Sequence, residues 1–137
     1  MSPIRTFHVF GERIDVVVDF ATSNGASATI IQHVPAGGGP PPHSHTKEDE
    51  TFTILEGEFE VLKDGNWQPV AKGEAAYGPR GLVHTFRNTG TSPGRVLIFI
   101  TPAGFENYLE AISPLSPATD MPKILEISSK YGITFHM

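Results

Sequence analysis

The feature that most narrows the possible folds is the punctuation of the chain. As far as Thr101, short apolar runs of period two are broken again and again by Gly, Pro or Asn, with no helical periodicity between them. Ile14, Val16, Val18 and Phe20 alternate with Arg13, Asp15, Val17 and Asp19, which predicts a half-buried strand over 11–20. Ser23-Asn24-Gly25 reads as a turn, and the next apolar run, with Ile30 and Ile31, predicts a strand over 28–34. Further short strands are expected over 50–55, 58–63, 67–71, 75–77, 83–87 and 95–101, with Asp64-Gly65-Asn66 as a hairpin turn. Many short strands at such spacing argue for an all-β fold, an antiparallel sandwich or barrel of jelly-roll type.

After Thr101 the period changes. Phe105, Tyr108, Leu109 and Ile112 recur at helical spacing, so a short amphipathic helix is expected over 104–113. Ser113-Pro114-Leu115-Ser116-Pro117 breaks it, and Asp120 before Pro122 starts a second short helix that carries Ile124, Leu125, Ile127 and Tyr131 and stops at Gly132. At 137 residues the whole chain, 1–137, is expected to be one domain, with a barrel over about 8–101 and a C-terminal helical segment over 102–137.

Composition limits the chemistry. The chain has no cysteine, so disulfides, thiolate zinc sites and cysteine nucleophiles are excluded, and any metal must be held by nitrogen and oxygen. The formal charge of -5, with Lys and Arg scattered singly, offers no basic patch, so nucleic acid is not an expected partner. The run from Met1 to Arg5 leads into no apolar segment, and no stretch approaches membrane-spanning length, so a cytoplasmic protein without a membrane partner is expected.

Two stretches concentrate groups able to hold a metal. His43 and His45 are two residues apart, so a strand would put both imidazoles on one face. The triple glycine and triple proline over 37–42 give them a rigid, extended approach. Glu50 has the wrong parity to share that face on an unbroken strand, so 46–49 must bend the chain, with Lys47, Glu48 and Asp49 read as solvated loop residues. Glu48 and Asp49 remain alternative carboxylates. His84 comes from a separate strand, as expected where a barrel gathers the ligands. His8, His33 and His136 read as ordinary surface or core histidines.

Gly37, His43, His45, Glu50 and Gly57 stand at G-x5-H-x-H-x4-E-x6-G, and Gly73, Pro79, Gly81, His84 and Asn88 at G-x5-P-x-G-x2-H-x3-N. The chain thereby resembles the cupins at every specified position of both motifs. The segment from Thr101 to Phe105 onward is similar to the quercetin dioxygenase-like cupins. The resemblance implies a small jelly-roll barrel with helices at one end, a metal inside it, and His43, His45, Glu50 and His84 as ligands.

Three imidazoles and a carboxylate suit one divalent transition metal, Fe, Mn, Ni, Co, Cu or Zn, and leave coordination positions for a substrate or dioxygen. Glu50 is a candidate catalytic base as well as a ligand. Phe52 and Phe86 are expected to line the barrel, and Tyr77 and Arg80, near its mouth, are candidates for substrate hydrogen bonds. The expected function is a metal-dependent dioxygenase acting on a small enolic or aromatic oxygen-chelating compound. A non-redox isomerase, lyase or decarboxylase, and a non-catalytic ligand-binding protein, are the alternatives. A homodimer is expected from the prevalence of two-fold assembly, with the strand from Arg13 to Phe20 pairing across the axis.

Overall fold

The computed structural model describes residues 2–136; Met1 and Met137, the two ends of the expected domain, lie outside the described residues. In chain order the elements are β1 (Arg5–Val9), β2 (Glu12–Val18), α1 (Phe20–Ser23), β3 (Ala28–Val34), β4 (His43–His45), β5 (Asp49–Glu56) and β6 (Phe59–Lys63). They continue with β7 (Asn66–Val70), β8 (Ala75–Gly78), β9 (His84–Asn88), β10 (Gly94–Thr101), α2 (Phe105–Ile112), α3 (Pro117–Lys130) and β11 (Ile133–Phe135). One antiparallel sheet has the order β1-β2-β3-β10-β5-β8, the other β11-β4-β9-β6-β7. The fold is all-β and jelly-roll in type. It is two facing sheets, however, and no strand of the described residues is hydrogen-bonded into both, so the expected barrel is not closed by hydrogen bonds.

Alternation along the strands builds the core between the sheets. Ala28, Ile30 and Val34 on β3, Phe52 and Ile54 on β5, and Val96, Ile98 and Ile100 on β10 point inward from one sheet. Phe59, Val61 and Phe86 point back from the other. Each such side chain stabilises the fold by roughly 1.5–3 kcal/mol. Phe105, Tyr108, Leu109 and Ile112 form the buried stripe of α2 and join this same core at one end, as their spacing predicts.

Four expectations are corrected. Phe20 does not continue the strand: Asp19 caps a short helix by accepting from Thr22 N (2.9 Å), Thr22 Oγ1 accepts in return from Asp19 N (2.9 Å), and Phe20 is left 54% exposed. The N-terminal strand β1 went unforeseen. It forms the sheet edge and flanks β2, whose other side is taken by β3, so an edge-to-edge two-fold contact would involve β1 rather than 12–18. The second C-terminal helical span starts earlier than expected, at Pro117 after Ser116, but Asp120 is non-helical (φ -119, ψ 17) and divides it, so a short turn precedes the helix that begins, as expected, after Asp120 with Pro122 in its first turn.

The segment 102–137 is also not purely helical. Beyond Gly132 (φ +76) it returns as β11, pairing Ile133 with His45 and Phe135 with His43. The left-handed φ of Gly132 favours glycine at this return, and a Cβ there would also force the Thr46 side chain to move. No described helix is long and apolar enough to cross a membrane.

Glu106 joins α1 to α2. Wholly buried, it accepts from Phe20 N (2.7 Å) and Gly104 N (2.8 Å). Glu106→Ala strands both donors and should lower the unfolding free energy by about 2–3 kcal/mol in a urea titration. A loss under about 0.5 kcal/mol would show that water replaces the carboxylate without penalty.

Candidate metal centre

Three strands from the two sheets bring the motif residues together. On β4, His43 and His45 both face inward, with Ser44 turned outward between them. His84 on β9 is the cross-strand partner of His43. The chain then turns through 46–48 and enters the opposite sheet, where Glu50 on β5 points back at the imidazoles from beside Ile100 and Gly78. One ligand atom from each of His43, His45, Glu50 and His84 lies within 4.8 Å of the others, and all four residues are buried.

Hydrogen bonds on the far side of each ring fix what faces the centre. His43 Nδ1 is 2.7 Å from Pro41 O, and His84 Nδ1 is 3.1 Å from Leu82 O. A carbonyl oxygen only accepts, so each Nδ1 carries a proton and Nε2 is the atom turned inward, free to ligate when the ring is neutral. His45 Nδ1 is 3.2 Å from Glu48 Oε1, a carboxylate that selects the same tautomer and raises ring basicity.

The inward nitrogens then face an anion. His84 Nε2 lies 2.9 Å from Glu50 Oε2 and His45 Nε2 lies 3.5 Å from Glu50 Oε1, yet neither nitrogen has a hydrogen-bonding partner. Lone pairs confronting a buried carboxylate repel it unless positive charge, a proton on a ring or a metal cation, sits between them. A divalent cation about 2.1 Å from each donor sets neighbouring ligands about 3 Å apart, close to these separations. The donor set therefore fits a transition metal, and Glu48 and Glu50 together offset its charge.

The titration behaviour has the same origin. In the metal-free protein burial would raise the Glu50 carboxyl, but the facing imidazoles, His45 first and then His84 and His43, favour its ionised form whenever they carry protons and hold it at about 2. Burial, assisted by His84 and His45, pushes His43 down to about 3. His45 moves up, because Glu50 and Glu48 together overcome its desolvation.

The remaining sequence candidates lie as follows. Glu48 is not a solvated loop residue: it is buried and holds His45. Asp49 lies outside the cluster, accepting from Arg80 N (2.8 Å) and Arg80 Nη2 (3.0 Å). A cavity opens beside the cluster, walled by Phe52, Phe86, Phe105, Tyr108 and Ile112, with His43 and Glu50 at its surface. Water centres can spread through about 70 Å³ of it, room for a compact molecule of single-ring size. Phe52 and Phe86 thus line it as expected, whereas Tyr77, half exposed, and Arg80, engaged by Asp49, do not. His8 is exposed, His33 pairs with Asp15 (2.9 Å) and His136 with Ser44 (3.0 Å), all outside the cluster. The α2 wall and the polar pair Glu12 and Gln32 were not anticipated. The one sequence signal for Gln32 is its place in the inward row between Ile30 and Val34.

Fold and cluster together define a double-sheet jelly-roll protein with a buried three-histidine, one-carboxylate centre. A cupin domain model matches residues 30–100, and the chain belongs to the cupin family. Germin-like protein subfamily 2 member 2 of Arabidopsis thaliana is 34% identical over 114 residues, covering 76% of this chain and 52% of that protein. The rhicadhesin receptor of Pisum sativum is 37% identical over 90 residues, covering 62% of this chain and 39% of the receptor. The chain thus spans about half or less of these relatives' length.

Among solved structures, a predicted oxalate decarboxylase from Thermotoga maritima matches with a TM-score of 0.64 and 23% identity, over 74% of this chain and 93% of that one. KdgF from Halomonas sp. matches with a TM-score of 0.64 and 18% identity, over 71% and 84%. At these identities the likeness concerns the fold.

Two outcomes are expected. In metal-free protein the folded pKa of His43, about 3, lies below its unfolded 6.5, and that of Glu50, about 2, below 4.5. The unfolded chain therefore takes up protons first, and stability falls as pH drops from 6.5 toward 3. The upward shift of His45 acts in the opposite sense, its contribution being lost as pH rises through its folded value. Urea midpoints across that range should decline on acidification; a flat profile would mean that His43 is not held neutral by burial. Separately, Glu48→Ala frees His45 Nδ1 and should weaken metal binding roughly 10–100-fold in a chelator competition, with the fold retained.

Proposed function

We propose that the chain is a metal-dependent enzyme of dioxygenase type acting on a small enolic or aromatic compound that chelates through oxygen. The observation that carries this reading is the juxtaposition of four converging donors with a predominantly apolar cavity. A chelating oxygen entering there meets the centre with little competing water, and the apolar walls suit both dioxygen and an unsaturated carbon skeleton. The similarity of the segment after Thr101 to the quercetin dioxygenase-like cupins supports the same class.

His43, His45, Glu50 and His84 would hold one divalent transition metal, which supplies Lewis acidity and, where redox-active, electron exchange with dioxygen. The chain's own groups do the rest. Pro41 O, Leu82 O and Glu48 engage the three Nδ1 atoms and keep the three Nε2 atoms aimed inward. Glu50, the one carboxylate among the four donors, is the group placed to take the proton of an incoming enolic hydroxyl whose acidity a bound metal would raise. Phe52, Phe86 and Phe105 exclude water and pack against the ring of the substrate.

The donor set also favours a second reading, since three imidazoles and a carboxylate hold zinc equally well. With zinc the same residues would serve an isomerase, lyase or decarboxylase.

Elemental analysis of the unchelated protein and of His84→Ala tests the proposal. About one equivalent of Fe, Mn, Ni, Co or Cu should accompany the wild type and be lost from the variant, and the loaded protein should consume oxygen with enolic substrates. Zinc alone, without oxygen uptake, moves the non-redox reading ahead. No metal in the wild type after reconstitution would overturn both.

A further inference from the structure

A second polar group is built into the cavity, away from the four donors. Gln32 is the one polar residue in the inward row of β3, 8% exposed, among Ala28, Ile30 and Val34. Its Nε2 donates to Glu12 Oε1 (2.9 Å), and Glu12 Oε2 accepts from the backbone N–H of Gly39 (3.0 Å). Both Glu12 and Gln32 line the cavity.

This arrangement fixes the orientation of the amide. A carboxylate oxygen accepts from an amide NH2 and repels an amide carbonyl, so the NH2 must face Glu12 and Gln32 Oε1 is turned away from it. Among the described residues no donor reaches Oε1, and it is not sealed off as a buried orphan. The oxygen therefore presents an open acceptor to the cavity.

Register relates it to the metal centre. Gln32, Val96 and Ile54 form one inward row across three strands, and Ala28, Ile100 and Glu50 form another. The two rows are four residues apart along the strands, about 13 Å at the rise of a β-strand. Both side chains, Gln32 and Glu50, line the same cavity, so one molecule in it can reach both. A ring that chelates at one edge and carries a polar group at the other has the form to do so.

We propose that Gln32, oriented by Glu12, determines the specificity of the cavity: its amide oxygen accepts a hydrogen bond from a hydroxyl or amine on the substrate, remote from the chelating oxygens. The inference rests on the metal-centre reading above and names the substrate class for it. A molecule without that donor leaves Oε1 facing apolar surface with its water displaced, which is how a polar site discriminates against an otherwise identical ligand. Glu12 acts as a positioning residue, because it touches the amide and not the ligand.

Kojic acid and allomaltol are enolone chelators that share the chelating end and differ by one terminal hydroxyl. Titrated calorimetrically into metal-loaded wild type, kojic acid should bind about tenfold more tightly, the effect of one well-made hydrogen bond. Gln32→Met keeps the volume and removes the acceptor, so the ratio should fall to about one while metal content stays at the wild-type level. Glu12→Gln loosens the amide and should reduce the ratio without abolishing it. Equal affinities in the wild type, or a preference that survives Gln32→Met, overturns the proposal, and the wild-type ratio decides it even if the variant does not fold. A loaded protein that binds neither chelator overturns the subsite and leaves the metal centre standing; metal analysis of the same samples that finds no metal overturns both.

Discussion

The inward nitrogens of two buried imidazoles, His45 and His84, are held against the buried carboxylate of Glu50. Without a proton or a cation between them that contact is repulsive, and in a low-dielectric interior it is costly. Nothing in the surroundings lets it relax: Pro41 O and Leu82 O hold two of the three rings from behind, and Glu48 holds the third. A cation at the centre converts the repulsion into four attractive contacts. Much of the local architecture follows from keeping those donors aimed.

The ligands come from both sheets. His43, His45 and His84 belong to the five-stranded sheet and Glu50 to the six-stranded one, so a bound metal ties the layers across the core. The three-residue strand β4 is too short to hold its position alone. It is kept in place by β9 on one side and by β11 on the other, which pairs with all three of its residues. The last residues of the chain are thereby coupled to the ligands, and metal binding should report on C-terminal integrity as well as on the motif. On the other side of the centre α2 supplies apolar wall, Glu12 and Gln32 supply polarity, and Gly39 lets the approach segment pass against the backbone at Phe86, where a Cβ would collide with the carbonyl.

Much of this was legible from residues alone. The alternation in 28–34, 50–55 and 95–101 marks strands whose inward faces are the observed core, and the helical stripe from Phe105 to Ile112 is the observed α2 face. The parity argument for Glu50 anticipated a bend, and the bend is the passage from one sheet to the other. The failures have local reasons. Phe20 fits the alternation, but the reciprocal capping of Asp19 and Thr22 competes for the same residues and wins. β11 is three residues long, too short to show a period, and exists because β4 offers it an edge. Glu48 looks like a solvated turn residue until the turn folds inward and brings it under His45. Tyr77 was placed near the mouth by its position in the chain, whereas its strand β8 lies at the sheet edge with the ring turned to solvent.

The sequence by itself determined the secondary-structure class, the inward rows and the shared face of His43 and His45, because these depend on residue type and on spacings that the backbone period converts directly into facing; the choice of Glu50 over Glu48 and Asp49 came from the motif resemblance. Tertiary structure alone decided which second carboxylate supports the site, which side chains wall the cavity, and that Gln32 offers a free acceptor there. Those properties depend on contacts between segments far apart in the chain, such as Glu12 with Gly39 or β11 with β4, and no local period encodes which distant edge or backbone group a side chain will meet.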